Sequence, residues 1–145
     1  MKVRFKLKTE KDKKFYWCYI FSTREEMYDW NRKDGYDGGK HYLGVCRHTT
    51  RYLVSKNGRT KRIKKDELGS ISLVVNYCTS GIIAHECCHA TNYWFKYKYK
   101  DFTKLEKSKH DEIFAWVLGN FNRQVWYNWY KLEEKGIIKK LKAWQ

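Results

Sequence analysis

The chain has no proline, no internal repeat and no low-complexity linker, so nothing in it marks a boundary between independent units. Residues 1–145 are accordingly read as a single domain. Cysteine is present but poorly arranged for cross-linking. Cys18, Cys46, Cys78, Cys87 and Cys88 are odd in number and form no C-x-x-C pair, and neighbours such as Cys87 and Cys88 rarely bridge. A disulfide scaffold is excluded on this reading, and a reducing cytoplasm is expected. Long apolar runs are also missing. No stretch approaches the ~20 apolar residues of a membrane helix, and the Lys-dense segment Met1 to Phe15 lacks the apolar core of a signal peptide. No membrane association is expected. Acidic side chains are scarce: 16 Asp and Glu stand against 31 Lys and Arg, a formal charge of +15.

Bulky side chains, by contrast, are plentiful. The 145 residues are 42% apolar and include 7 Trp, 12 Tyr and 7 Phe, enough to fill a core, which excludes a disordered chain. The positive balance favours acidic partners and steers polyanions without sequence preference, so weak, nonspecific nucleic-acid binding is expected from charge alone. The excess is largely Lys, beside much Tyr, a composition that AT-rich coding also produces.

The patterning divides the chain into strands first and helices second. Lys2 to Lys8 alternates, with Val3, Phe5 and Leu7 on one face and Lys or Arg on the other, and predicts a half-buried strand. After a polar turn at Thr9 to Lys13, Phe15 to Phe21 predicts its hairpin partner. Ser22 with Glu25 three residues on reads as a capping box opening a helix to about Lys33, which Gly35, Gly38 and Gly39 end. His41 to Val54 leans to strand with a break at Thr49 and Thr50. Asn57–Gly58 is a hairpin signal, and Ser70 to Val75 is a further strand. Thr79, Ser80 and Gly81 start a helix from about Ile82 to Phe95. A second spans Asp111 to about Lys135, where Ile113, Val117, Leu118, Phe121, Val125 and Trp129 recur at helical spacing and Gly136 stands at the cap position, with a short last helix after it. The expected class is α+β, with an amino-terminal antiparallel sheet followed by a helix pair.

Chemistry enters with Ile82–Ile83–Ala84–His85–Glu86–Cys87–Cys88–His89–Ala90, which contains H-E-x-x-H. At i and i+4 on a helix both imidazoles project from one face and can share one Zn²⁺, while the intervening Glu can take a proton from the metal's water. With 5 His and 9 Glu in 145 residues, chance supplies this pattern roughly 0.01 times per chain. The β-branched residues before it and Ala90, Tyr93, Trp94 and Phe95 after it give the helix an apolar side to bury behind the metal. Cys87 and Cys88, the free positions of the motif, read as small packing groups. The strand Ser70 to Val75 just upstream is a candidate sheet edge for adding an extended peptide by main-chain hydrogen bonds, or simply a core strand.

His85–Glu86–x–x–His89, together with the acidic opening of the next helix in His110–Asp111–Glu112–Ile113–Phe114–Ala115, resembles the zincin metallopeptidases. The similarity is greatest to minimal gluzincins of the kind often encoded by phages, and it covers roughly Ser70 to Phe121. It implies one Zn²⁺ per chain held by His85, His89 and Glu112, with Glu86 as the general base. The activity implied is hydrolysis of an amide bond in a peptide or protein, in the cytoplasm of a bacterial host if phage-encoded. Ala115 and Gly119 would be the small residues where the two helices approach. The thermolysin-like Asp four residues after the ligand Glu is absent, because Trp116 holds that place. The partner of the developing oxyanion stays open among several tyrosines, including Tyr93, Tyr127 and Tyr130.

Other assignments compete for parts of this pattern. Cys46 precedes the motif as a metal-binding Cys does in peptide deformylases, but Gly44–Val45–Cys46–Arg47 lacks their glycine-cysteine-leucine signature. His110 or Asp111 could replace Glu112. Tyr97–Lys98–Tyr99–Lys100 interleaves rings and charges, as a nucleic-acid surface does and as a solvated connector equally can. The alternative function is thus a basic nucleic-acid- or protein-binding module with a structural or inactive zinc site. Retention of Glu86 speaks for catalysis, since a structural site has no use for a general base.

Overall fold

Alternation at the amino terminus sets the first layer. In the computed structural model, which describes residues 2–10, 12–33, 42–48, 52–54, 60–62, 66–99 and 106–139 (backbone only at 52–54 and 60–62), Lys2–Lys8 is strand β1. It pairs antiparallel with β2, Phe15–Phe21, and the hairpin is closed by Thr9 N–H donating to Lys14 O at 3.0 Å. Helix α1, Arg24–Lys33, follows. Its cap sits one residue later than the sequence pattern placed it: the Thr23 hydroxyl accepts from Glu26 N–H, and the Glu26 carboxylate accepts from Ser22 N–H.

Strands β3 (Gly44–His48), β4 (Tyr52–Val54), β5 (Thr60–Arg62) and β6 (Glu67–Val74) come next. β4 and β5 form a separate antiparallel pair flanking Asn57–Gly58, and that turn lies outside the described residues. So do the helix-ending glycines 35, 38 and 39 and the break at Thr49 and Thr50; the last helix expected after Gly136 does not start in residues 137–139, and the rest of its span lies outside the described residues. The main sheet has the order β1-β2-β6-β3. It corrects the expectation of an antiparallel sheet, because β2 and β6 run parallel while the outer pairs are antiparallel. Local pattern cannot reveal a pairing between strands so far apart in sequence. A register shift where β6 enters beside Phe15 and Tyr16 leaves Leu68 as the extra residue, and it is buried.

A 3₁₀ turn at Val75–Tyr77 leads to α2, Ser80–Lys98, capped by the Thr79 hydroxyl, which accepts from Ile82 N–H at 3.3 Å. α3 runs from Lys107 to Glu134, and Gly136 beyond it takes a φ of +65° where a carboxy-terminal cap belongs. One face of the sheet, with Leu7, Tyr16, Cys18, Ile20, Ile71 and Leu73, packs on Ile83, Cys87, Ala90 and Trp94 of α2 and on Val117, Phe121, Val125 and Trp129 of α3. The opposite face, with Tyr19, Phe21, Val45 and Val74, takes Met27 and Trp30 of α1. The outer edge of β1 is tied to α3 by the Gln124 side chain, which accepts from Lys8 N–H and donates to Lys8 O, both at 2.8 Å. The class is α+β, with helices on both sides of a mixed sheet.

Candidate metal and catalytic site

The motif helix sorts its residues by angle. Ile83, Glu86, Cys87, Ala90, Thr91, Trp94 and Phe95 form its buried stripe, while Ala84, His85 and His89 are exposed. The two imidazoles meet there: His85 Nε2 and His89 Nε2 are 3.1 Å apart, with the rings edge to face. Two nitrogens each ~2.0–2.1 Å from one tetrahedral ion lie about 3.3 Å apart, so the pair already has a separation that fits zinc. Glu86 is buried, 100° around the helix from His85. Burial pushes its carboxyl above the ordinary value, while the His85 charge and a hydrogen bond from the Cys46 backbone N–H act to lower it.

That bond shows what lies opposite. β3, rather than the Ser70–Val75 segment, is the sheet edge beside the motif; β6 is enclosed between β2 and β3, so of the two readings open for that segment the core strand holds. Gly44, Cys46 and His48 occupy one face of β3 at strand period, and this face meets α2. Gly44 lies so close that a Cβ there would stand 2.9 Å from Ile82 Cγ2 and 3.0 Å from both Cγ and Oε1 of Glu86. The Cys46 thiol is pushed well up by burial and by the Glu86 carboxylate. His48 ends the strand with its ring stacked on Tyr93 at 4.1 Å and Nδ1 3.3 Å from the Tyr16 hydroxyl. Desolvation lowers its pKa to about 4, and the charges of His89 and Lys96 act in the same direction. His48 was missed in the sequence; the available signal was the period-two series Gly44, Cys46, His48.

The remaining candidates lie on α3. Glu112 and Asp111 are both exposed in its first turns. Asp111 Oδ1 is 3.3 Å from His110 Nδ1, and the His110 ring packs on Phe95, 4.3 Å away and six residues beyond His89. Among the described residues no three His, Cys, Asp or Glu side chains stand close enough together to hold one ion, so Glu112 is not joined to His85 and His89 in this arrangement. The groove of small residues expected at Ala115 and Gly119 is not where the helices meet. Ala115 is exposed and a Cβ at Gly119 would have nothing within 4 Å, whereas Ile113, Phe114, Val117 and Phe121 face the core. Tyr127 and Tyr130 are exposed, and Tyr93 lies under His48.

Cys87 is fully buried and its thiol is raised to about 12 by burial, with the carboxylate of Glu86 adding to the shift; Cys88 accepts a 3.7 Å contact from Asn92 Nδ2. Tyr97 and Tyr99 pack against the core at the end of α2, three residues of which extend past the expected stop at Phe95. No helix among the described residues is long and apolar enough to cross a membrane. Compared with protein-family models, with curated proteins and with solved structures, the chain matches none.

Proposed function

We propose that this chain is a zinc-dependent metallopeptidase that hydrolyses an amide bond in a peptide or protein. The observation that carries the reading is the juxtaposition on α2 of two exposed imidazoles 3.1 Å apart and a buried carboxylate whose affinity for protons is raised. His85 and His89 would hold the ion. Glu112 is the proposed third ligand, favoured over Asp111 because the Asp111 carboxylate is turned to His110. Zinc bound there would supply a polarised water and an electrophile for the scissile carbonyl.

The chain's own residues do the rest. Glu86 accepts the proton of the attacking water and delivers it to the leaving amine, and its raised proton affinity suits both halves of that transfer. The Cys46 N–H holds one side of the carboxylate against the strand edge. The pairing of β3 with β6 on its other side makes that donor rigid.

Metal content and the Glu86→Gln variant test this reading. The protein purified without chelator should carry about one zinc per chain, lost in His85→Ala. Glu86→Gln should keep the metal and the fold while hydrolysis of a peptide-library substrate falls ~10²–10⁴-fold. A protein that binds zinc but cleaves nothing, with Glu86→Gln indistinguishable from wild type, would leave the binding-module reading instead.

A further inference from the structure

His48 stands out because nothing in the motif calls for it. It deepens the metallopeptidase reading and rests on it. Along β3 the strand meets α2 in three steps: Gly44 against Ile82 and Glu86, Cys46 N–H on the Glu86 carboxylate, and the His48 ring on Tyr93. Tyr93 is one helical turn past His89, and the charge of His89 acts on His48. The imidazole is therefore held at the end of the edge strand, over a ring one helical turn past His89.

Its hydrogen bonding decides its chemistry. Tyr16 is fully buried, and among the described residues its hydroxyl has one hydrogen-bond partner, Nδ1 of His48 at 3.3 Å. A buried hydroxyl left without an acceptor is costly, so the Tyr16 O–H donates and Nδ1 accepts. The neutral ring then carries its proton on Nε2, the edge turned away from Tyr16. Were Nε2 instead a metal ligand, Nδ1 would need the proton and the Tyr16 hydroxyl would have nowhere to donate.

We propose that His48 is a fixed, neutral Nε2–H donor to the carbonyl oxygen of the bound peptide, stabilising that oxygen as it becomes negative. No proton leaves His48 in this role; proton transfer stays with Glu86. Stacking on Tyr93 and the bond from Tyr16 set the ring before substrate arrives, which is the preorganisation that such a donor requires.

Nitrogen-15 NMR of the imidazoles at pH 7, with and without zinc, tests this apart from turnover. Zinc should move the ring signals of His85 and His89, while His48 keeps its Nε2–H tautomer throughout. In Tyr16→Phe the Nδ1–H form of His48 should appear. Acetohydroxamate, whose carbonyl oxygen binds zinc, should bind the zinc-loaded His48→Phe variant at least ten-fold more weakly than wild type, because the donor is gone while the stacked ring remains. Zinc that also shifts His48 Nε2 as a ligand, or a His48→Phe variant that binds acetohydroxamate as tightly as wild type, overturns this inference alone. Zinc that leaves His85 and His89 unmoved overturns the metal reading and the inference with it.

Discussion

At Gly44 a hydrogen occupies a place where any other residue would press on Ile82 and Glu86. A methyl group there has to displace the Ile82 and Glu86 side chains, since pairing with β6 holds β3 in the sheet. Gly44→Ala is expected to cost about 1–3 kcal/mol in urea unfolding and to reduce hydrolysis more than zinc retention, because Glu86 moves while His85 and His89 on the outer face do not. The third ligand is also a question at this scale. Glu112→Ala should weaken zinc at least ten-fold and Asp111→Ala much less, read by competition with a chromogenic chelator. Loss of zinc in Asp111→Ala alone would transfer the role to the neighbouring residue.

Among the elements, the capped start of α2 matters most for the site, because it fixes where His85 begins to turn outward. Thr79→Ala removes the acceptor for Ile82 N–H and should cost ~1 kcal/mol, seen as a melting point lower by several degrees. This helix was legible in the sequence: Thr79 announced its start, the apolar stripe its buried face, and the i, i+4 imidazoles its outer face. β1 and α3 were legible for the same reason, a period that burial imposes directly, and β2 from its short aromatic, strand-favouring run beside β1. The sheet order was not, because hydrophobic period tells a strand which face to bury and says nothing of which strand will lie beside it. Hence Ser70–Val75 could be read as an edge or as a core strand, and the strand that forms the edge, with His48 at its end, carried no motif to draw notice. Ala115 and Gly119 misled in the opposite way: small residues permit a close helix contact but do not require one, and Phe114 and Phe121 took the core instead.

The molecule as a whole responds to pH through two groups that desolvation shifts in opposite directions. His48 has an ordinary pKa of 6.5 and a folded value of about 4, so between these limits the unfolded chain binds more protons. Stability is therefore retained in full above about pH 6.5 and lost as pH falls toward 4. Glu86 works against this trend, since its raised value means the folded state holds more protons as pH drops. His48→Gln should flatten the difference between urea midpoints at pH 7 and pH 4.5. Charge of +15 bears on partners rather than on the fold. Several cations are occupied by the protein's own rings, with Lys2 Nζ 3.1 Å from the centre of Trp30, Arg4 4.5 Å from Trp17 and Lys6 4.3 Å from Phe15. Duplex DNA should bind weakly, without sequence preference, and release between about 50 and 200 mM salt in a filter-binding titration.

The parallel pairing of β2 with β6 also governs the order in which the chain can assemble. The β1–β2 hairpin closes from neighbouring residues, but the inner edge of β2 has its partner only once Glu67–Val74 has left the ribosome. At ~5–20 residues per second that wait lasts on the order of seconds, long compared with the microseconds a hairpin needs. During it, Tyr16 to Phe21 present an unpaired, strongly apolar ribbon to other nascent chains. The cations that β1 lays across the rings of β2 shield the same ribbon on one face from the start, and so act as gatekeepers against aggregation before either long helix exists.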